Sequence, residues 1–294
     1  LAVGFVLMPR FGAVGVWKFV GGVLVVLALL LVILEVLRAR REGLRRVSWA
    51  LATGALAVWL LGSEGPTAIT RHTPIGAGRV NLAGLDKNEV RDWSHRTRLR
   101  LLWERDGVES SLGVAHGNGL TFLVSGKADG AVYGDRGTQA LSGVIPALLH
   151  DGVKNAFVLG LGTGMTAGWL SSVPGVEHVD VAELEPAIIE VARGAAAANQ
   201  NVLERPNVHL FVGDGREFLL TGERKYDLLV SEPSNPYRAG VASLFTREFY
   251  TAAAARLSPN GVFAQWVQGY EIDVQTLRIV LVTLRAEFHL VEAW

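Results

Sequence analysis

From residue 155 to residue 294 the sequence alternates short apolar runs with stretches of helical apolar spacing, and this alternation restricts the fold more than any other feature. NAFVLGLG (155–162) reads as a strand and MTAGWLSSV (165–173) as a helix. EHVDVAE (177–183) is a strand, and PAIIEVARGAAAAN (186–199) a helix opened by Pro186 at a first-turn position. NVHLFVG (207–213), REFLLTG (216–222) and YDLLVS (226–231) read as strand, short helix and strand. TREFYTAAAARL (246–257) is a helix ended by Pro259-Asn260-Gly261, and GVFAQWV (261–267) is a strand. VQTLRIVLVTLRAEF (274–288) is a helix, and HLVEAW (289–294) the start of a strand. Such alternation predicts a mostly parallel sheet with helices on both faces, an α/β Rossmann-like fold. Ligands of such sheets sit at the carboxyl ends of the strands.

Upstream the patterns differ. Thr138 to His150 has helical spacing. LRLLWERDG, VESSLGVAHG and GLTFLVSG (99–126) read as a small antiparallel sheet, with Asp106-Gly107 and Asn118-Gly119 as hairpin turns. Residues 63–97, with Pro66, Pro74 and several glycines, read as a polar connector. Residues 1–62 are mostly apolar. Phe19 to Leu34 carries no charge, and about 25 residues from Ala13 to Leu37 suffice to span a bilayer. RARREGLRR (38–46) holds five arginines in nine residues, and Val47 to Gly62 is apolar but only 16 long. Leu1 to Met8 reads as the tail of an earlier apolar helix. The alternative is a buried helical hairpin; a signal peptide fits poorly, because the charges follow the apolar run. The expected organisation is therefore a transmembrane helical segment (1–62), a connector (63–97), a small β domain (98–134) and a Rossmann-like nucleoside-binding domain (135–294). Multi-pass insertion in the cell membrane is expected. The arginines belong on the cytoplasmic side, which conflicts with a cytoplasmic C-terminal domain if residues 47–62 cross; the cytoplasmic side is nevertheless the expectation for that domain.

Composition excludes several classes. Lys plus Arg is 28 and Asp plus Glu is 28, so no net field recruits nucleic acid. The absence of cysteine removes disulfides, thiolate metal sites and a cysteine nucleophile. The seven histidines show no ligand spacing, so no metal is expected.

The candidate site lies at the four strand ends. Gly160, Gly162 and Gly164 (G-x-G-x-G) let the chain turn sharply and let a ligand approach the main chain, although tight strand–helix packing asks for the same residues. Glu183, nineteen residues after Gly164, is placed to accept from two ribose hydroxyls, a feature shared by NAD and S-adenosylmethionine (SAM) folds. Asp214, followed by Gly215, can accept from an adenine amino group or cap the next helix, with Glu217 at capping-box spacing. Glu232 follows the fourth strand in a turn stiffened by Pro233 and Pro236.

The stretches LVSGKADG, GDRGTQALSGVIPALLH, VLGLGTGMTAG, VDVAELEPAIIEVAR, VGDGREFL and YDLLVSEPSNPYRAGVASLFTREFY together resemble the polyamine aminopropyltransferases, the spermidine synthases and their relatives. The likeness is greatest to bacterial membrane-fused spermidine synthase-like proteins. It covers about residues 98–294 and implies a β domain before a class I SAM-type fold. It implies aminopropyl transfer from decarboxylated SAM to an amine, with release of methylthioadenosine and without a metal. By this resemblance Gln139 contacts the nucleoside, Glu183 the ribose, and Asp214 with Gly215 the adenine. Glu232 stands for the catalytic aspartate and Asn235 for an amine-binding aspartate. Thr138 replaces a tyrosine that acts on the amine, and Thr163 an aspartate that holds the aminopropyl ammonium. Each lost charge-assisted hydrogen bond weakens a cationic amine by roughly 1.5–3 kcal/mol, about one to two decades in affinity, so putrescine is not a secure substrate. Family members often dimerise, and a homodimer is the expectation carried over.

Two other readings stay open. One is a SAM-dependent methyltransferase, favoured by Thr163. The other is a nucleoside-binding sensor domain of a membrane protein in which catalysis has decayed. An NAD enzyme is more distant, since no hydride-transfer partner such as Tyr-x-x-x-Lys is evident.

Overall fold

The computed structural model describes residues 3–37, 43–62, 80–117, 119–238 and 240–294. Arginines 38, 40 and 41 of the basic run, residues 63–79 of the connector and Asn118 of the second hairpin turn lie outside the described residues. Two compact units are present. The first is Leu1–Leu99 with Glu104–Leu112 and Ser125–Lys127; the second is Arg100–Trp103, Gly113–Val124 and Ala128–Trp294.

In the first unit, a π-helical turn at Val3–Leu7 leads into α1 (Met8–Leu37), and α2 (Gly43–Leu61) follows. The two helices pack through small residues. A Cβ on Gly21 would fall 2.6 Å from Leu61 Cδ2, and Gly54 faces Ala28. Gly12, with φ 67°, breaks the start of α1. The N–H of Ala13 that this frees donates to the Asp106 carboxylate at 2.5 Å. Met8–Leu34 is long and apolar enough to cross a membrane, with mean hydropathy 2.7, and only 6% of its apolar window is buried. A core helix would be packed far more fully. Val47–Trp59 is a shorter apolar helix. Among the described residues one helix has the length and apolarity of a span, so the multi-pass arrangement expected from the sequence is not supported.

The reading of 63–97 as connector missed α3 (Lys87–Arg100). This helix has no buried residue and hence no apolar stripe to detect. Its signal is the cap: Asp86 Oδ1 accepts from the N–H groups of Asn88 (2.7 Å) and Glu89 (2.9 Å), and Glu89 Oε2 accepts from the Asp86 N–H (2.8 Å). That reciprocal pattern is a capping box.

Four strands follow: β1 (Leu101–Asp106), β2 (Ser111–Gly117), β3 (Gly119–Val124) and β4 (Lys127–Ala131), in spatial order β1-β2-β3-β4. Their connections are too short for parallel crossovers, so neighbours run antiparallel. The sequence showed the first three; β4, with Ala128, Asp129 and Gly130 at its centre, has little strand propensity.

The second unit is built on a five-stranded sheet. After α4 (Arg136–Leu148) come β5 (Asn155–Leu159), α5 (Met165–Leu170), β6 (His178–Glu183), α6 (Ile188–Gly194), β7 (Val208–Val212), α7 (Gly215–Thr221), β8 (Tyr226–Ser231), α8 (Arg247–Ala255), β9 (Leu257–Gln265) and α9 (Val274–Arg285). The order is β7-β6-β5-β8-β9, and every pair is parallel. Val158 on β5 pairs with Val181 and Val230, so the central strand is apolar on both sides. Helices cover both faces, and Phe157, Leu219, Tyr226, Leu229, Phe249, Tyr250 and Val280 form one buried cluster. This is the α/β Rossmann-like fold that the alternation implies.

Two details differ from the sequence reading. β9 begins at Leu257 and contains Pro259-Asn260-Gly261, where the sequence predicts a helix stop. The strand is at the sheet edge, where proline costs no ladder bond, and the register shifts between Tyr226 and Leu228 with Asn260 at φ 65°. His289–Trp294 forms no strand.

Candidate functional site

Parallel strands bring their carboxyl ends to one sheet edge, so the glycine loop after β5, Glu183 at the end of β6, Asp214 after β7 and Glu232 after β8 share that edge. Gly160, Gly162 and Gly164 have φ of 98°, 51° and 78°, a region costly for any side chain. Fully buried Asn199 holds the loop. Its Nδ2 donates to the Thr163 carbonyl at 2.8 Å and the Ala192 carbonyl at 2.7 Å. Packing is tight here too, since a Cβ on Gly164 would lie 2.6 Å from Val202 Cγ1. The glycines therefore serve both the turn and the strand–helix contact.

Glu183 is buried, and its carboxylate spans the loop it follows. Oε2 accepts from the Leu161 N–H at 2.9 Å and Oε1 from the Glu185 N–H at 2.8 Å. Burial holds its pKa above the usual carboxylate range, against the opposing pull of the Glu185, Leu161 and Gly162 N–H groups. A carboxylate has about four acceptor positions, so these three N–H groups leave capacity for a ligand.

Asp214 caps α7, accepting from the Arg216 N–H at 2.9 Å. The Arg216 side chain also grips it, Nη2 to Oδ2 at 2.6 Å and Nε to Oδ1 at 3.1 Å. That guanidinium holds Asp214 below the usual range. Gly215, first residue of α7, is buried; a Cβ there would meet Leu159 Cγ at 3.0 Å.

Glu232 sits in a cluster of hydroxyls. Thr166 Oγ1 on α5 lies 2.9 Å from Glu232 Oε1 and 2.8 Å from the Gln139 carbonyl. Ser142 on α4 also bonds the carboxyl. Burial pushes Glu232 up to about 7, against the lowering effect of the Thr166 and Ser142 hydroxyls. Gln139 joins the cluster through its side chain as well: Oε1 accepts from the Thr163 hydroxyl, and Nε2 donates to the Ala131 carbonyl at 3.1 Å.

Gln139, Thr163 and Glu232 are thus joined by a continuous chain of hydrogen bonds. Thr138 is exposed and enters only through its carbonyl, which accepts from Ser142 at 3.0 Å. Asn235 is fully buried, and its carbonyl accepts from the Arg238 N–H at 3.1 Å. Among the described residues no group of three or more His, Cys, Asp or Glu side chains could hold a metal.

The family model described as the spermine/spermidine synthase domain matches residues 138–292, more than half of the chain. The chain belongs to the spermine/spermidine synthase family. A polyamine aminopropyltransferase of Clostridium perfringens is 33% identical over 118 residues, 40% of this chain and 41% of that protein. One from Nitrosomonas europaea is 32% identical over 151 residues, 51% of this chain and 46% of that protein. The chain thus spans less than half the length of these curated relatives. Among solved structures, a spermidine synthase in complex with the transition-state analogue AdoDATO superposes with a TM-score of 0.61 at 19% identity, covering 65% of this chain and 66% of that one. The spermidine synthase of Thermotoga maritima gives 0.57, also at 19% identity, over 65% and 64%. These likenesses establish the spermidine synthase fold.

Sequence reasoning missed Ser142, Thr166, Asn199, Arg216, Arg238 and Asp129. Hydroxyls inside helices, and an amide in the turn after α6, look neutral in a linear pattern. Arg216 had a local signal, since it stands two residues after a capping aspartate. Asp129 and Arg238 are 109 residues apart and pair only in the fold.

Proposed function

We propose that this spermine/spermidine synthase family chain transfers an aminopropyl group from decarboxylated SAM to an amine, releasing methylthioadenosine. The observation that carries the reading is Glu232: a carboxyl at the strand edge, held by hydroxyls, with a pKa pushed up to about 7 by burial. A general base works best with its pKa near the working pH. In this reading the neutral amine attacks the carbon beside the sulfonium sulfur. The carbon–sulfur bond breaks, its electron pair stays on sulfur, and the attacking nitrogen gives its proton to Glu232. Holding donor and acceptor in line supplies much of the rate.

The glycine loop at Gly160, Gly162 and Gly164 would lie against the nucleoside, with Gln139 beside it. Glu183 would take the ribose hydroxyls on its remaining acceptor positions, and Asp214 with Gly215 the adenine edge. Asn235 would help shape the acceptor side from beneath, and Thr138 would meet the amine from the exposed turn of α4. Thr163 keeps a neutral group where an aminopropyl ammonium would gain from a carboxylate, which supports an acceptor and donor geometry less dependent on charge. Residues 98–134 would form the small β domain and 135–294 the catalytic domain. Met8–Leu34 would attach the chain to a membrane, with the catalytic domain in the cytoplasm, where the cofactor is made.

The test offers the full chain SAM and decarboxylated SAM separately, each with a mixture of diamines and polyamines, and reads nucleosides by mass spectrometry. Methylthioadenosine that appears only with amine present supports the reading, and the aminated product names the acceptor. S-adenosylhomocysteine, or no product from folded protein, overturns it. A reporter fused after Trp294 tests the side of the membrane; a periplasmic signal overturns the cytoplasmic placement.

A further inference from the structure

The environment of Glu232 poses a problem of proton accounting. A carboxylate shielded from water is costly unless a cation or several donors meet it, and Glu232 is half-buried. Its hydrogen-bonding neighbours are the hydroxyls of Thr166 on α5 and Ser142 on α4, with no charged side chain among them. The nearby Gln139 and Thr163 side chains are also neutral and bond each other. The charged group on Glu232's own loop, Arg238, is turned to Asp129.

Each hydroxyl has one hydrogen and two neighbours that want it. Thr166 Oγ1 is 2.8 Å from the Gln139 carbonyl and 2.9 Å from Glu232 Oε1. Ser142 Oγ is 3.0 Å from the Thr138 carbonyl and also bonds Glu232. Carbonyls and ionised carboxylates only accept, so one hydroxyl cannot donate to both at once. A protonated carboxyl, however, can donate to a hydroxyl oxygen.

We infer that Thr166 and Ser142 are positioning residues that switch their O–H between the main chain of α4 and Glu232, keeping the carboxyl hydrogen-bonded in both of its protonation states. With Glu232 ionised, both hydroxyls turn to it. The two carbonyls lose little, because they lie inside α4 and the helix ladder supplies each a second donor. With Glu232 protonated, its own O–H donates to a hydroxyl oxygen, and the hydroxyl hydrogens return to the Thr138 and Gln139 carbonyls. No hydroxyl bond breaks; the only proton transferred is the one that Glu232 takes from the attacking nitrogen. The inference rests on Glu232 as the base, and it explains how a half-buried acid changes charge during turnover without a fixed cation.

The experiment uses the full-length chain with Thr166→Val, Thr166→Ser and Ser142→Ala. Two readouts are taken: the pH–rate profile of aminopropyl transfer, and the infrared carboxyl band of protonated Glu232 against pH, assigned by its loss in Glu232→Gln. Thr166→Val and Ser142→Ala should each raise the midpoint of both by about one pH unit, the effect of one lost bond to a charged group. Thr166→Ser, which keeps the hydroxyl, should restore the wild-type midpoint. Ser142→Ala is a favourable helix substitution, so it remains informative if a Thr166 variant fails to fold. A band midpoint unmoved in folded Ser142→Ala or Thr166→Val protein overturns the inference. A band that moves while the rate profile stays put sustains the hydroxyl switch and removes Glu232 from the role of base.

Discussion

Arg238, on the loop after β8, places Nη1 2.6 Å from the Asp129 carboxylate on β4, and Ser234 Oγ bridges the same pair. The second nitrogen, Nη2, reaches the Val124 carbonyl at 3.4 Å. Both side chains are largely shielded, at 21% and 12% exposure, so solvent screens the pair only partly. The turn that carries Glu232 is therefore tied to the strands before it.

Breaking this tie should loosen the loop without touching the reacting atoms. Arg238→Ala is expected to lower kcat/KM about tenfold or more, and to raise proteolytic cleavage between residues 232 and 241. Removing one partner of this charge-assisted hydrogen bond also destabilises by about 1.5–3 kcal/mol. Steady-state kinetics beside limited proteolysis checks this; unchanged cleavage and kinetics in Arg238→Ala would show that the loop is held without the pair.

Glu232→Gln should separate activity from stability. As a lost general base it is expected to cost about 10²–10⁴ in kcat. Stability should move the other way. The folded-state pKa of Glu232 is raised to about 7, so the stability that its protonated form contributes is present below the ordinary carboxylate pKa. It is lost as pH rises through about 7. At pH 8 the wild type carries this cost, on the order of 3 kcal/mol, and glutamine does not. Thermal unfolding should show the variant more stable at pH 8, with a much smaller difference at pH 5. An equal difference at both pH values would contradict the raised pKa.

The parts of this molecule that were legible in sequence are those with a local cause. The strand–helix alternation announces β5 to β9 because buried parallel strands must be continuously apolar, as around Val158 and Val181. The acids and glycines at strand ends announce the edge on which Glu183, Asp214 and Glu232 stand. What stayed hidden has long-range or featureless causes. The polar helix α3 buries nothing and shows only its cap. The hydroxyls of Ser142 and Thr166 acquire meaning only when α4 and α5 bring them to Glu232, 66 residues from Thr166 in the chain. The full burial of Asn235 could not be read from its place in a loop.

Gly168 shows how close the packing behind the glycine loop is. A Cβ there would lie 1.8 Å from the Asn199 carbonyl oxygen, a main-chain atom that cannot swing aside. Asn199 in turn holds Thr163 and the end of α6. Helix propensity favours Gly168→Ala by up to about 1 kcal/mol, yet the clash forces a backbone shift costing about 1–3 kcal/mol or more. Net destabilisation of the second unit is expected, with weaker nucleoside binding as the loop moves. Chemical denaturation with a nucleoside titration checks both, and a variant as stable as wild type would mean that α5 and the Asn199 segment separate freely.

Arg216 offers a test of the nucleoside edge. Its guanidinium occupies both oxygens of Asp214 and holds that carboxyl below its usual pKa. The depressed pKa means that the pair's contribution is present above the ordinary carboxylate pKa and fades as pH falls through the folded value. If Asp214 accepts from an adenine amino group, Arg216 competes for the same lone pairs. Arg216→Ala should then tighten methylthioadenosine binding several-fold at pH 7, because the helix cap survives through the main-chain bond to residue 216 while the carboxylate is released. Asp214→Ala should lose both, weakening binding and removing a cap worth about 1 kcal/mol. Isothermal titration of the two variants decides. Weaker binding in Arg216→Ala would make the guanidinium itself a ligand contact, and unchanged binding in Asp214→Ala would take the base away from this strand end.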